Sequence, residues 1–293
     1  MFRWLAGKGA SRRKLARTLA QVAPEQWNHA IAAHAFLGCL SPREDQALRE
    51  RAAWILASKS FHGAHDFPID DDIMLSIAMQ AALPILELSP VLYEGWTDIV
   101  LYPGGFLIPR VEIDEDGIVH EYLQESSGEA WDGGPVILSW EDADPRLDPD
   151  GNVVIHEFAH KLDQQSGDAD GMPGLHAHAD LHPRRWRRVL DESFETFGRA
   201  LTKVENAIPR HIDPESAEAS PWYDTLPLDP YAATDPAEFF AVSSEAFFVD
   251  PAPVARALPD WYALLARYYR QNPLQRLYAG SVPGTDELDR APR

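Results

Sequence analysis

The stretch His156-Glu157-Phe158-Ala159-His160 constrains this chain more than any other. On an α-helix, residues four apart project from nearly the same side, roughly 40° apart around the axis. Two imidazoles at that spacing can reach one zinc ion, and the glutamate beside them can act on a water held by the metal. Five letters alone occur by chance, so the surroundings must supply a helix with a buried back. Val154, Phe158 and Leu162 recur at i, i+4 and i+8, with Ile155 and Ala159 beside them, forming an apolar stripe. His156, His160, Asp163 and Gln164 fall on another face. Pro149-Asp150-Gly151-Asn152 reads as a turn with Asn152 as the N-cap. The competing reading is a core helix that happens to carry two partly exposed histidines.

Charge and cysteine content narrow the setting. Lys+Arg number 26 against 46 Asp+Glu, a net charge of -20 that argues against general nucleic-acid binding. Cys39 is the only cysteine, so no intrachain disulfide can form. No apolar run approaches the roughly 20 residues that span a bilayer. The basic N-terminus, with Arg3, Lys8, Arg12, Arg13, Lys14 and Arg17, lacks the apolar centre of a secretory signal. Residues 1–20 are therefore expected to be a flexible basic tail on a cytoplasmic protein.

The 293 residues give ample length for a core. Residues 21–95 read as helical: Ser41-Pro42-Arg43-Glu44 has the form of a capping box, and Asp70-Asp71-Asp72 opens a second apolar run with Pro84 as a break. From Asp98 short β-type runs take over, at 99–102, 106–108, 118–122 and 136–140. A small mixed or antiparallel sheet thus precedes the metal helix within residues 96–280, and 281–293 form a polar tail. Helices are further expected at 183–204, from Asp235 and over 260–271, with 208–230 as a long surface loop.

Two histidines leave a catalytic zinc site one protein ligand short. A third histidine six residues after the second, with glycine midway, is excluded because Ser166 and Asp163 hold those positions. A glutamate on a later helix is the other common source. Glu238 and Glu245 lie seven apart, hence on similar faces, and periodicity does not separate them. Glu238 could equally complete a capping box after Asp235 and Pro236. Glu192, Glu195 and Glu205 are weaker alternatives. Asp163 could orient a histidine or be a solvated helix-end carboxylate. His176, His178 and His182 cluster after the motif, where a second metal site is conceivable.

Several stretches together resemble the Mlc titration factor A family of zinc metallopeptidases, the glucose-regulated metallo-peptidases. They are I-H-E-F-A-H-K-L-D at 155–163, D-P-Y-A-A-T-D-P-A-E-F-F-A-V at 229–242 and S-E-A-F-F at 244–248, with L-Y-P-G-G-F at 101–106, G-P-V-I-L-S-W at 134–140 and N-P-L-Q-R-L at 272–277. The family's catalytic core is similar to that of the anthrax lethal factor protease. The resemblance implies an α+β, predominantly helical, zincin-like (gluzincin) fold with a small mixed sheet beside the H-E-x-x-H helix. It implies one Zn2+ on His156, His160 and Glu238, Glu157 as general base, and Tyr231 near the metal, where it could serve the developing oxyanion. Glu245 then falls to a supporting role. The activity implied is aminopeptidase-like hydrolysis of a peptide or protein substrate; the alternative is a regulatory protein that sequesters a Mlc-type transcriptional repressor. By analogy with related zincins, Val136–Trp140 is either an edge strand that pairs with substrate or an internal core strand.

Overall fold

The computed structural model describes residues 11–113, 119–147 and 151–280. The expected turn at 114–117, the polar tail at 281–293 and the first ten residues of the basic stretch lie outside them.

The basic stretch differs from expectation where it is described. It is helical over α1 (Arg12–Gln21), with Ser11 capping the N–H of Lys14 at 3.2 Å. Leu15 is buried and Leu19 packs beside it, so the cations project outward around an apolar seam laid on the next helices. Arginine-rich composition masked that seam. Helices α2 (Pro24–Ala32), α3 (Pro42–Ser58) and α4 (Asp71–Ala82) complete the N-terminal region. Helix α3 starts on the anticipated capping box: Glu44 Oε2 accepts the Ser41 N–H at 2.9 Å, while Ser41 Oγ accepts from the Glu44 N–H. Helix α4 is capped by Asp70 and stops two residues before Pro84, where the ring would meet the preceding turn.

The sheet is mixed. Strands β1 (Ser60–Gly63) and β2 (Asp98–Tyr102) are parallel; β3 (Phe106–Ile113) and β4 (Val119–Ser126) form a separate antiparallel ribbon; β5 (Gly128–Ala130) and β6 (Val136–Ser139) follow. The order is β1-β2-β6-β5, with β6 parallel to β2 and β5 antiparallel to β6. Strand β1 has too little alternation to be read from sequence. The run at 136–140 is the internal strand of the two alternatives, and the edge belongs to β5. Trp140 opens a single-turn helix, α5 (Trp140–Ala143), capped by Ser139.

Helix α6 (Val153–Asp163) carries the two histidines, and Asn152 Oδ1 caps it by accepting the Ile155 N–H at 2.9 Å. Its back is buried as the stripe requires: Val154, Ile155, Phe158, Ala159 and Leu162 are all solvent-free. Phe158 meets Tyr93 and Trp96 edge-on, at centroid distances of 5.1 and 5.6 Å.

Beyond it lie α7 (Pro183–Glu205), α8 (Ser220–Tyr223), α9 (Pro236–Val249), α10 (Pro251–Ala257), α11 (Pro259–Tyr269) and α12 (Pro273–Gly280). The 208–230 segment has a small core of its own, in which Ile208, Ile212 and Ala219 pack with Trp222 and Tyr223. A further helix, α12, follows the one expected to be last; Asn272 Oδ1 caps it through the Gln275 N–H. Helix α9 is apolar nearly all round, which marks it as central. Phe239, Phe240 and Phe247 are fully buried against Trp186, Trp261 and Tyr269. Two polar pins fix its rotation: Trp261 Nε1–H donates to Ser243 Oγ at 2.7 Å and the Tyr269 hydroxyl to Ser244 Oγ at 2.8 Å. The result is an α+β fold, predominantly helical. Among the described residues no helix is long and apolar enough to cross a membrane.

Candidate metal centre

The fold sets α9 against α6 so that one carboxylate meets both imidazoles. Glu238 Oε2 lies 3.1 Å from His156 Nε2 and 3.3 Å from His160 Nε2, and the two Nε2 atoms are 3.2 Å apart. These ligand-type atoms all lie within 4.8 Å of one another, making a group that could hold a metal ion. Glu238 is free to face the histidines because Asp235 caps α9 alone: its Oδ1 accepts the N–H of Ala237 at 2.8 Å and of Glu238 at 3.0 Å. The capping-box role weighed for Glu238 therefore does not occupy its side chain.

Glu245, two helical turns on, reaches the other side of the same imidazole. Its Oε2 lies 3.6 Å from His156 Nδ1, while its Oε1 accepts the Asn152 N–H at 2.8 Å. Asn152 Nδ2 in turn donates to Gln80 Oε1 at 2.8 Å. The two glutamates that periodicity could not separate are thus separated by what they touch.

Electrostatics follow from this packing. Burial works against the His156 cation, but the Glu238 and Glu245 carboxylates outweigh it and raise its pKa to about 10. Burial likewise opposes the Glu238 anion, and the two histidines overcome it, holding this carboxyl well below the usual range. Burial raises Glu157, against the pull of His156 and His160. Tyr231 stands on a 3-10 turn (Pro230–Ala233) with its ring 6.2 Å from that of His156. Burial and the carboxylates of Glu238 and Glu157 push its phenol above the ordinary value.

Glu157 sits behind the trio, 4% exposed. A Cβ on Gly128 would come 2.4 Å from Glu157 Oε1 and 2.7 Å from Val153 Cγ2, so β5 can lie this close to α6 only with glycine there. Two side chains from the far end of α6 hold β5 and its following turn in place. Lys161 Nζ donates to the carbonyls of Trp131 and Gly134, and Gln164 Nε2 donates to that of Ala130 at 2.7 Å.

Asp163 is not the solvated helix-end carboxylate of the two roles weighed for it. It is fully buried, and its Oδ2 accepts the Gly171 N–H at 2.7 Å. Gly171, at φ +77°, also accepts from Trp186 Nε1 through its carbonyl and packs on the Pro236 carbonyl. One glycine therefore joins α6, α7 and the start of α9, two residues from Glu238. Sequence gave no sign of Gly171 or Gly128, since only close approach makes them necessary.

The other acidic and histidine candidates do not reach this centre. Glu192 and Glu195 pair with Arg188 and Arg199 on the exposed face of α7, and Glu205 is exposed. His178 packs against Tyr268 with the rings tilted at a centroid distance of 5.0 Å, His182 caps α7, and His176 is exposed. Among the described residues no second group of metal-ligating side chains is found.

A cleft of about 920 Å³ opens over the trio, bordered by β5, the end of β4, α5 and the Tyr231 turn. The donor set fits a borderline metal such as zinc, two imidazole nitrogens and one carboxylate being the ligands of one class of catalytic zinc site. Glu157 Oε2 supports the fit: it is buried without a hydrogen-bond partner among the described residues, beside the point where three ligands converge.

Two imidazoles one helical turn apart and a carboxylate from a second helix form a group that could hold a metal ion, with a buried glutamate beside them, and metallopeptidases are one class that uses such a donor set. Comparison of the sequence agrees with that class. The profile of the glucose-regulated metallo-peptidase M90 family matches residues 9–270, and the chain belongs to this family. It is 36% identical to the Mlc titration factor A of Serratia proteamaculans (strain 568), covering 86% of this chain and 89% of that protein. With the proteins of that name from Pectobacterium atrosepticum and Escherichia coli (strain K12 / DH10B) it shares 34% and 32% identity, each over 86% of this chain and 88% of the relative.

Proposed function

We propose that the chain is a cytoplasmic zinc peptidase of the gluzincin type, aminopeptidase-like, with His156, His160 and Glu238 as metal ligands and Glu157 as general base. The observation that carries this is the buried, unpartnered Glu157 Oε2 beside a converging His-His-Glu group. Zinc bound there supplies a Lewis acid that acidifies a water and polarises a carbonyl.

The remaining work falls to side chains. Glu157 takes the proton of the attacking water and returns it to the departing amine; its burial raises the carboxyl pKa, which makes it a better base. Tyr231, held protonated, donates to the carbonyl oxygen as negative charge develops on it. Strand β5 is an edge strand of its sheet and lines the cleft; an extended peptide would pair with its backbone there by displacing Ser126 Oγ from Gly128 and Gln164 Nε2 from the Ala130 carbonyl. This moves the substrate-pairing role from Val136–Trp140 to Gly128–Ala130. A peptide-library digest with zinc-loaded and chelator-treated protein tests the proposal: cleavage should require the metal. Metal-independent cleavage, or none with the loaded protein, would refute it.

The relatives' name, Mlc titration factor A, favours a second reading, in which the chain binds a Mlc-type repressor and hydrolysis is secondary. Co-purification of such a repressor with a His156→Ala variant lacking metal would support binding as a separate function. Loss of binding along with the metal would tie it to the site.

A further inference from the structure

Helix α4 buries two polar side chains one turn apart. Ser76 and Gln80 are 7% and 2% exposed and sit among Leu75, Ile77, Met79 and Ala81. A hydroxyl and an amide so placed lower stability unless each finds a partner. Asp70 already caps α4, so the helix itself does not require the pair.

Their partners lie on other elements, and the backbone fixes the direction of the bonds at one end. The Ile155 N–H can only donate, so Asn152 turns Oδ1 towards it at 2.9 Å and its amide Nδ2 towards Gln80 Oε1 at 2.8 Å. Gln80 then presents Nε2 to Ser76 Oγ at 3.3 Å, and Ser76 Oγ faces His34 Nε2 at 3.1 Å. His34 and Asn152 are buried as well, at 4% and 7% exposure. Four side chains thus form one line from His34, just past α2, to the first turn of α6, and both amides donate in the direction of His34.

At Asn152 the line meets the metal centre. The Asn152 N–H donates to Glu245 Oε1 at 2.8 Å, and Glu245 Oε2 lies 3.6 Å from His156 Nδ1. A Cβ on Gly151 would come 2.6 Å from Glu245 Oε1, so glycine there admits the carboxylate to this contact. Gln80 itself does not border the cleft.

We propose that Gln80 is a positioning residue for His156: acting through Asn152 and Glu245, it ties the orientation of that ligand to the packing of the N-terminal helices. The inference rests on the metal-site reading and deepens it by naming what governs the site from outside the cleft. A fully paired buried line holds its members in one arrangement, and breaking one pair loosens those next to it.

Zinc affinity and the visible spectrum of the cobalt-substituted protein test this without any need for turnover. Gln80→Met keeps an unbranched side chain of similar helix propensity but removes both hydrogen bonds. It should weaken zinc binding roughly tenfold and alter the cobalt bands. Asn152→Ser keeps an N-cap for α6, cannot reach Gln80, and should do the same; it carries the test if Gln80→Met does not fold. Because Gln80 acts through Glu245, adding Gln80→Met to Glu245→Gln should change the affinity by less than about twofold. A lower urea midpoint with wild-type zinc affinity and cobalt spectrum would make the line purely structural and overturn the proposal. Additive losses in the double variant would overturn the route through Glu245. Failure of the wild-type protein to bind zinc would overturn the site and its positioning residue together. The expected losses of affinity without hydrolysis by any form of the protein would instead refute the peptidase reading and leave the positioning role standing.

Discussion

Glu245 accepts a hydrogen bond from the backbone N–H of Asn152 at 2.8 Å, across 93 residues of sequence. This bond joins α9, which carries Glu238, to the first turn of α6, which carries His156 and His160. The same carboxylate stands beside His156 Nδ1. With the Nε2 proton given up to a bound metal, an Nδ1–H turned to Glu245 would leave the Nε2 lone pair for that metal.

Replacing Glu245 separates its two tasks. Glu245→Ala leaves a buried N–H unsatisfied and should lower stability by about 1–3 kcal/mol. Glu245→Gln keeps an acceptor for Asn152 and should melt close to wild type. Both should weaken zinc binding by roughly 10–100-fold, since each loses the carboxylate beside His156. Glu238→Gln should weaken it considerably more. Zinc titration with a chromophoric chelator checks the ranking, and a larger loss at Glu245 than at Glu238 would exchange their roles.

Gly128→Ala tests the approach of β5 to Glu157. The added methyl overlaps Glu157 and Val153, so the carboxylate or the strand must move by about 1 Å, enough to cost roughly 100-fold in rate. Zinc content should be unchanged, because no ligand is touched. Unaltered kcat/KM would mean that Glu157 tolerates displacement and is not the base.

Gly171→Ala acts through architecture. Its φ of +77° is unfavourable for alanine, and the Cβ would lie 2.3 Å from the Pro236 carbonyl oxygen. A loss of about 2 kcal/mol or more is expected, read as a lower urea midpoint. Zinc affinity should fall as well, because the start of α9 must shift. Asp163, whose Oδ2 accepts the Gly171 N–H, is held by the same contact.

His34 gives a pH signature distant from the metal. It is buried beside Ser76, with 3.1 Å between Nε2 and Oγ. Burial, partly countered by the Asp144 carboxylate, lowers its pKa to about 4 from 6.5. Between these values the unfolded chain binds the proton and the folded chain does not, so stability rises with pH across this window and is lost as pH falls through it. The full loss below about pH 4 is on the order of 3 kcal/mol. Denaturation of wild type and His34→Gln between pH 4 and 7 isolates this contribution, because other titrating groups cancel in the difference. The variant should gain on wild type as pH falls; a pH-independent difference would place His34 in a more solvated setting.

Much of this was legible from side-chain spacing. The apolar stripe of α6, the Asn152 cap, the Ser41 box and the aromatic body of α9 are local patterns, and each appears where periodicity puts it. Features that depend on contacts distant in sequence were not. Glu238 and Glu245 share a periodic face, so only the seating of α9 on α6 distinguishes them. Strand β1 is too short to announce itself, β5 became an edge only through sheet order, and α1 hid its Leu15 seam among arginines. The need for glycine at 128 and 171 arises from neighbours 19 or more residues away.

The central claim is that Glu157 works on a water held by a metal bound to His156, His160 and Glu238. Zinc stoichiometry and kcat/KM measured together on Glu157→Gln test it most directly. The amide is nearly isosteric but cannot take a proton, so the variant should bind one zinc per chain with wild-type affinity and lose activity by a factor of roughly 1,000 or more. A variant that keeps its zinc and hydrolyses peptides at the wild-type rate would contradict the account.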